Sequence, residues 1–74
     1  MTMHQSAAVF CRNLKKLRES EGLSQKEMAQ RLQIGIHTLR CLESGVIPPR
    51  LSVDILFVIY REFHITPSAM FRET

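Results

Sequence analysis

Leu23-Ser24-Gln25-Lys26-Glu27-Met28-Ala29-Gln30-Arg31-Leu32 runs through Gln33-Ile34-Gly35 into Ile36-His37-Thr38-Leu39-Arg40-Cys41-Leu42-Glu43-Ser44-Gly45, and this stretch decides the fold. Ser24 to Glu27 has the form of a capping box: the Ser accepts from the third helical amide while Glu27 reaches back to the capping residue. Met28, Ala29 and Leu32 supply an inward face, which predicts a helix of about eight residues. Leu39 and Leu42, three apart, predict another from Gly35 or Ile36 to Ser44, closed by Gly45. Between the two lies only Gln33-Ile34-Gly35, enough for a tight turn.

Upstream, Phe10, Leu14 and Leu17 are spaced by four and then three, with Asn13, Lys16 and Glu19 off that stripe. This predicts a helix from Ser6 to Glu21, preceded by a flexible N-terminus over residues 1–5, with Gly22 as a left-handed cap. Downstream, Val46-Ile47-Pro48-Pro49-Arg50 reads as a loop, because two prolines remove amide donors and push the residues before them toward extended geometry. Ser52 then caps a helix from Val53 to about Phe63 that is apolar on more than one face. A buried stripe of Val53, Leu56, Ile59, Tyr60 and Phe63 leaves Ile55 and Val58 outside it. With Met70 and Phe71 they predict an exposed apolar patch suited to self-association. His64 and Ile65 form a turn, Thr66 caps a last helix with Pro67 at its first position, and Ile65 stands where it can staple to Met70. Five helices and no strand pattern make an all-α fold, expected as one domain over residues 6–74.

Composition narrows the function classes. The chain has 74 residues and 45% hydrophobic content, which suits one small globular domain and argues against disorder. No apolar run approaches the roughly 20 residues of a membrane span, and residues 1–8 do not read as a signal peptide, so a cytoplasmic protein is expected. Cys11 and Cys41 lie far apart in apolar-periodic segments, which predicts two buried thiols in a reducing compartment. Neither they nor the scattered His4, His37 and His64 have metal-ligand spacing. No nucleophile is paired with a base in a recognisable motif, and no cofactor or small-molecule effector is evident, so an enzyme is not expected. Net charge is +3, from ten basic and seven acidic residues, which tolerates a polyanionic partner without demanding one. Arg12, Lys15 and Lys16 are expected as a solvated helix face.

Two short helices across a tight turn, Gln25 to Ser44, form a helix-turn-helix unit, whose second helix can enter the major groove. The segment Leu14 to Leu32 resembles the pattern "R-x-x-x-G-L-S-Q-x-E-L-A" of the phage-repressor and Cro-like (XRE-type) regulators. Leu39-Arg40-Cys41-Leu42-Glu43-Ser44-Gly45 resembles their "I-x-x-I-E-x-G", and Ile65 to Phe71 resembles their final helix. The resemblance covers about Phe10 to Phe71 and implies a compact five-helix, lambda-repressor-like domain that binds double-stranded DNA as a small transcription regulator.

Position by position, the resemblance implies that Gln25 bonds a phosphate, while Ile36, His37 and Arg40, with Thr38 and Cys41, face the major groove. It further implies backbone contacts from Lys26 and Arg50, and an internal ion pair of Arg18 with Glu43. Chemistry agrees in part: the fork of Arg40 matches guanine O6 and N7, and a helix N-terminus suits a phosphate. The sequence departs from the pattern at Gly35, where Ser or Thr is usual, and at Ile36, which can at most touch a thymine methyl. Two readings stand. One is a repressor acting as a homodimer on a palindromic operator. The other is a protein-interaction module on the same fold, such as an antitoxin or phage accessory protein, with weak or no specific DNA binding.

Overall fold

Phe10, Leu14 and Leu17, the stripe that marks the first helix, are all buried. The computed structural model describes residues 3–47 and 54–72, with side chains from residue 7 onward. Its helices are α1 (Met3–Ser20), α2 (Gln25–Leu32), α3 (Ile36–Glu43), α4 (Asp54–Phe63) and α5 (Pro67–Met70). No strand occurs among the described residues. Helix α1 starts at Met3, so residues 3–5, expected in a flexible arm, are helical. An apolar stripe marks where a helix packs and not where it begins, and no Gly or Pro interrupts Met3 to Ser6.

The breakers do their expected work. Gly22 takes φ +68°, a left-handed position without steric penalty for glycine. Ser24 Oγ accepts from the Glu27 amide at 3.1 Å, and Glu27 Oε1 accepts from the Ser24 amide at 2.9 Å, closing the capping box. The turn after α2 holds a surprise: Gln33 itself is left-handed, at φ 59°, and the Ile34 amide bonds back to the Ala29 carbonyl at 3.0 Å. A glutamine carries no sequence mark for that conformation, which glycine usually supplies.

Helix α2 packs on α3 and α4, α1 on α3 and α5, and α4 on α5. Leu14, Met28, Leu32, Leu39, Leu42, Ile59 and Met70 are fully buried where these helices meet. Each such side chain contributes about 1.5–3 kcal/mol relative to exposure. Small Ala29, buried in α2, lets neighbouring helices approach closely. The last turn is tied down by Asn13, whose Nδ2 donates to the Met70 and Arg72 carbonyls at 2.8 and 2.9 Å. Thr66 caps α5, with Pro67 at its first position as expected.

Helix α4 corrects the sequence reading. Ile55 and Ile59 are buried, Leu56, Val58 and Phe63 are half-buried, and Phe57 and Tyr60 are exposed at 67% and 52%. At 3.6 residues per turn, the buried face is rotated by roughly 80° from the expected stripe. Ile55 is therefore core, as is Met70, and Val58 packs partly against that core. Phe71 remains partly exposed, but its ring stacks on Phe10 with centroids 5.5 Å apart. Of the expected patch of Ile55, Val58, Met70 and Phe71, only Phe71 is exposed, and the exposed apolar side chains of α4 are Phe57 and Tyr60. Apolar residues on more than one face of α4 leave the choice of buried face open to apolar spacing alone, whereas Asp54 and Arg61, seven residues apart, share the outward side opposite Ile55 and Ile59. Part of the seating of α4 is visible where the Arg31 guanidinium of α2 lies 5.9 Å from the centre of the Phe63 ring. Ser52 and Val53, expected to open this helix, lie outside the described residues.

Candidate nucleic-acid interface

Burying Leu39 and Leu42 turns the opposite side of α3 outward. His37, Arg40, Cys41 and Ser44, at i, i+3, i+4 and i+7, share that exposed side. Ile36 and Thr38 are half-buried, and Ile36 packs against the core, so less of it is available to a ligand than of His37, Arg40 or Cys41. Cys41 is exposed and not buried as composition suggested. Its position on α3 sets it opposite Leu39 and Leu42, which apolar spacing alone left open. Cys11 is buried, and desolvation pushes its thiol pKa above the ordinary value. Ser44 was not singled out by sequence; it caps α3, with its hydroxyl donating to the Cys41 carbonyl at 2.7 Å.

At the head of α3, Gly35 provides no side-chain cap. The first amides of the helix are left without a hydroxyl or carboxylate acceptor from that residue. Beside α3, the start of α2 places Lys26 in solvent and Gln25 half-buried.

Beneath this surface lies a clamp. Arg18 Nε donates to Glu43 Oε2 at 2.7 Å, and the two side chains retain 15% and 4% exposure. A second guanidinium nitrogen donates to the Leu23 carbonyl at 2.9 Å. Gln25 Nε2 donates to the other Glu43 oxygen at 3.1 Å. The hydrogen bond to Glu43 raises the already high pKa of Arg18, and burial opposes this only in part. One carboxylate at the end of α3 thus ties α1 to the start of α2, with both oxygens engaged. The shares of Gln25 and Leu23 were not legible in sequence, because hydrogen bonds across helices follow no local spacing. The charges of Arg18 and Glu43 offset each other, so Arg40 carries the positive charge of the exposed α3 surface. Arg50 lies outside the described residues. Among the described residues, no group of three His, Cys, Asp or Glu comes together to hold a metal. None of the described helices is long and apolar enough to cross a membrane.

Two short helices across a tight turn, the second open on one side and anchored on the other, define a helix-turn-helix DNA-binding domain. A family model described as a helix-turn-helix domain matches residues 10–56, well over half of the chain, and the chain belongs to that family. Comparison with curated proteins and with solved structures returns no match.

Proposed function

We propose that this chain is a sequence-specific transcription regulator of the phage-repressor and Cro-like kind, which docks α3 in the major groove and represses by occupying its operator as a homodimer. The observation that carries this reading is the shared exposure of His37, Arg40 and Cys41 on α3, above a helix held from within by Leu39, Leu42 and Glu43. Arg40 reads guanine through its bidentate fork. His37 and Cys41 flank it, while Thr38 and Ile36 reach the groove only at its edge. Lys26 contacts a phosphate as a point charge. Gln25 does so with the amide hydrogen that Glu43 leaves unused, since a carboxamide has two. Arg50 takes the backbone contact that the resemblance assigns it. The longest dimension of the molecule is 32 Å. One copy with one recognition helix covers a single half-site, and two grooves about 34 Å apart need two copies.

Selection from random duplex DNA, followed by titration at several salt concentrations, tests this reading. Enrichment of a palindrome, lost on Arg40→Ala, with affinity falling steeply as salt rises, supports it. Weak binding with no enriched sequence, removed from all DNA alike by modest salt, overturns it. The second reading, a protein-interaction module, then takes its place; the exposed Phe57 and Tyr60 are the observation that favours it.

A further inference from the structure

The four exposed residues of α4 are Asp54, Phe57, Tyr60 and Arg61. At 3.6 residues per turn they fall in one sector about 120° wide, centred near Phe57 and opposite buried Ile55 and Ile59. The sector is apolar in the middle, acidic at the N-terminal end and basic at the C-terminal end. We propose that this face docks on the same face of a second copy, with the two α4 helices antiparallel about a two-fold axis near Phe57.

Charge complementarity selects that occupant. Asp54 and Arg61 stand seven residues apart, about two turns. Antiparallel packing brings Asp54 of one copy toward Arg61 of the other, and the two-fold repeats the pair on the far side of the aromatic centre. Parallel packing sets like charge against like. A face complementary to itself in this way suits a closed, isologous dimer. Arg61 is available: its Nε lies 3.7 Å from Glu62, a loose contact, and its side chain is 60% exposed. Asp54 already interacts within its own chain, and its two carboxylate oxygens have acceptor sites for more than one donor. Phe57 and Tyr60 supply the apolar area, with the Tyr hydroxyl at the wet rim. One ten-residue helix per copy makes a small interface, so the dimer is weak and concentration-dependent, with a dissociation constant on the order of micromolar or above.

The inference rests on the two-copy part of the function proposed above and is independent of the DNA part. Sedimentation of the full chain without DNA tests it, while operator binding is measured separately. The wild type is expected to shift from monomer to dimer with rising concentration. Phe57→Ser and Arg61→Asp each weaken the dimer by at least about tenfold. Combining Asp54→Arg with Arg61→Asp restores association, because the reversed pairs again meet across the two-fold. A monomer at every concentration, a dimer unmoved by Phe57→Ser, or a double swap no better than Arg61→Asp overturns the proposal. If the double swap lowers helicity by circular dichroism, Phe57→Ser with Tyr60→Ser decides: a helical monomer supports the α4 face, and an unchanged dimer overturns it. Self-association without an operator leaves this inference standing and removes the regulator reading; an operator bound without the α4 dimer does the reverse.

Discussion

Arg40 and Lys26 both face solvent beside the turn, yet their chemistry separates their roles. Arg40→Ala is expected to cost about 1–3 kcal/mol on the selected operator and to relax preference at one base pair. Lys26→Ala weakens binding to all duplexes alike and lowers the salt slope by about one. Titrations at four salt concentrations distinguish the two. Glu43 stands apart because its side chain is nearly buried and holds two donors from different helices. Glu43→Ala leaves the Arg18 guanidinium without its carboxylate, and a loss of roughly 3 kcal/mol is expected in urea unfolding. Reactivity separates the thiols: a bulky thiol reagent labels Cys41 in the native protein and Cys11 only after denaturation. Mass spectrometry of the labelled chain checks this, and native labelling of Cys11 contradicts the packing of α1.

Helix ends matter most where helices are short, as α2 and α3 are at eight residues each. The hydrogen bonds from Ser24, led by its backbone amide, hold the Glu27 carboxyl below its ordinary pKa of 4.5. A carboxyl with a lowered folded-state pKa adds stability that is whole above 4.5 and is lost as pH falls through the lowered value. Glu27→Gln keeps a capping acceptor but cannot titrate. The stability gap between wild type and this variant is therefore expected at pH 7 and should shrink toward pH 3, measured by denaturant midpoints. A constant gap contradicts the assigned protonation. The capping box was legible because its residues sit three apart, within one turn. The left-handed Gln33 was not, because its conformation follows from how α2 meets α3.

Across the whole molecule, two copies on a palindrome must present their α3 helices to the same side of the duplex. Inserting about five base pairs between half-sites turns one to the opposite face, and binding should fall toward that of a single half-site. Inserting about ten restores the face and part of the affinity. Gel-shift titration of the three spacings checks this; equal affinity for all three contradicts binding as a fixed dimer.

Local signals carried much of the architecture. Ser24 with Glu27, Gly22, Gly45 and Thr66 with Pro67 each act within a turn or two, and the leucine spacings of α1 and α3 state which faces go inward. The sequence by itself therefore determined the helix count, most of the boundaries and the two-helix unit with its open turn. It did not determine the rotation of α4, the exposure of Cys41, or the joining of Gln25 to the expected pair of Arg18 and Glu43. Apolar residues lie on more than one face of α4; charged Asp54 and Arg61 keep one side out of the core, but the choice among the remaining apolar residues stays open. Contact with α2 and α5 chose Ile55 and Ile59 and left Phe57 in water. Only tertiary packing makes that choice, because the free energy of burial depends on which neighbour covers a residue and not on the residue alone.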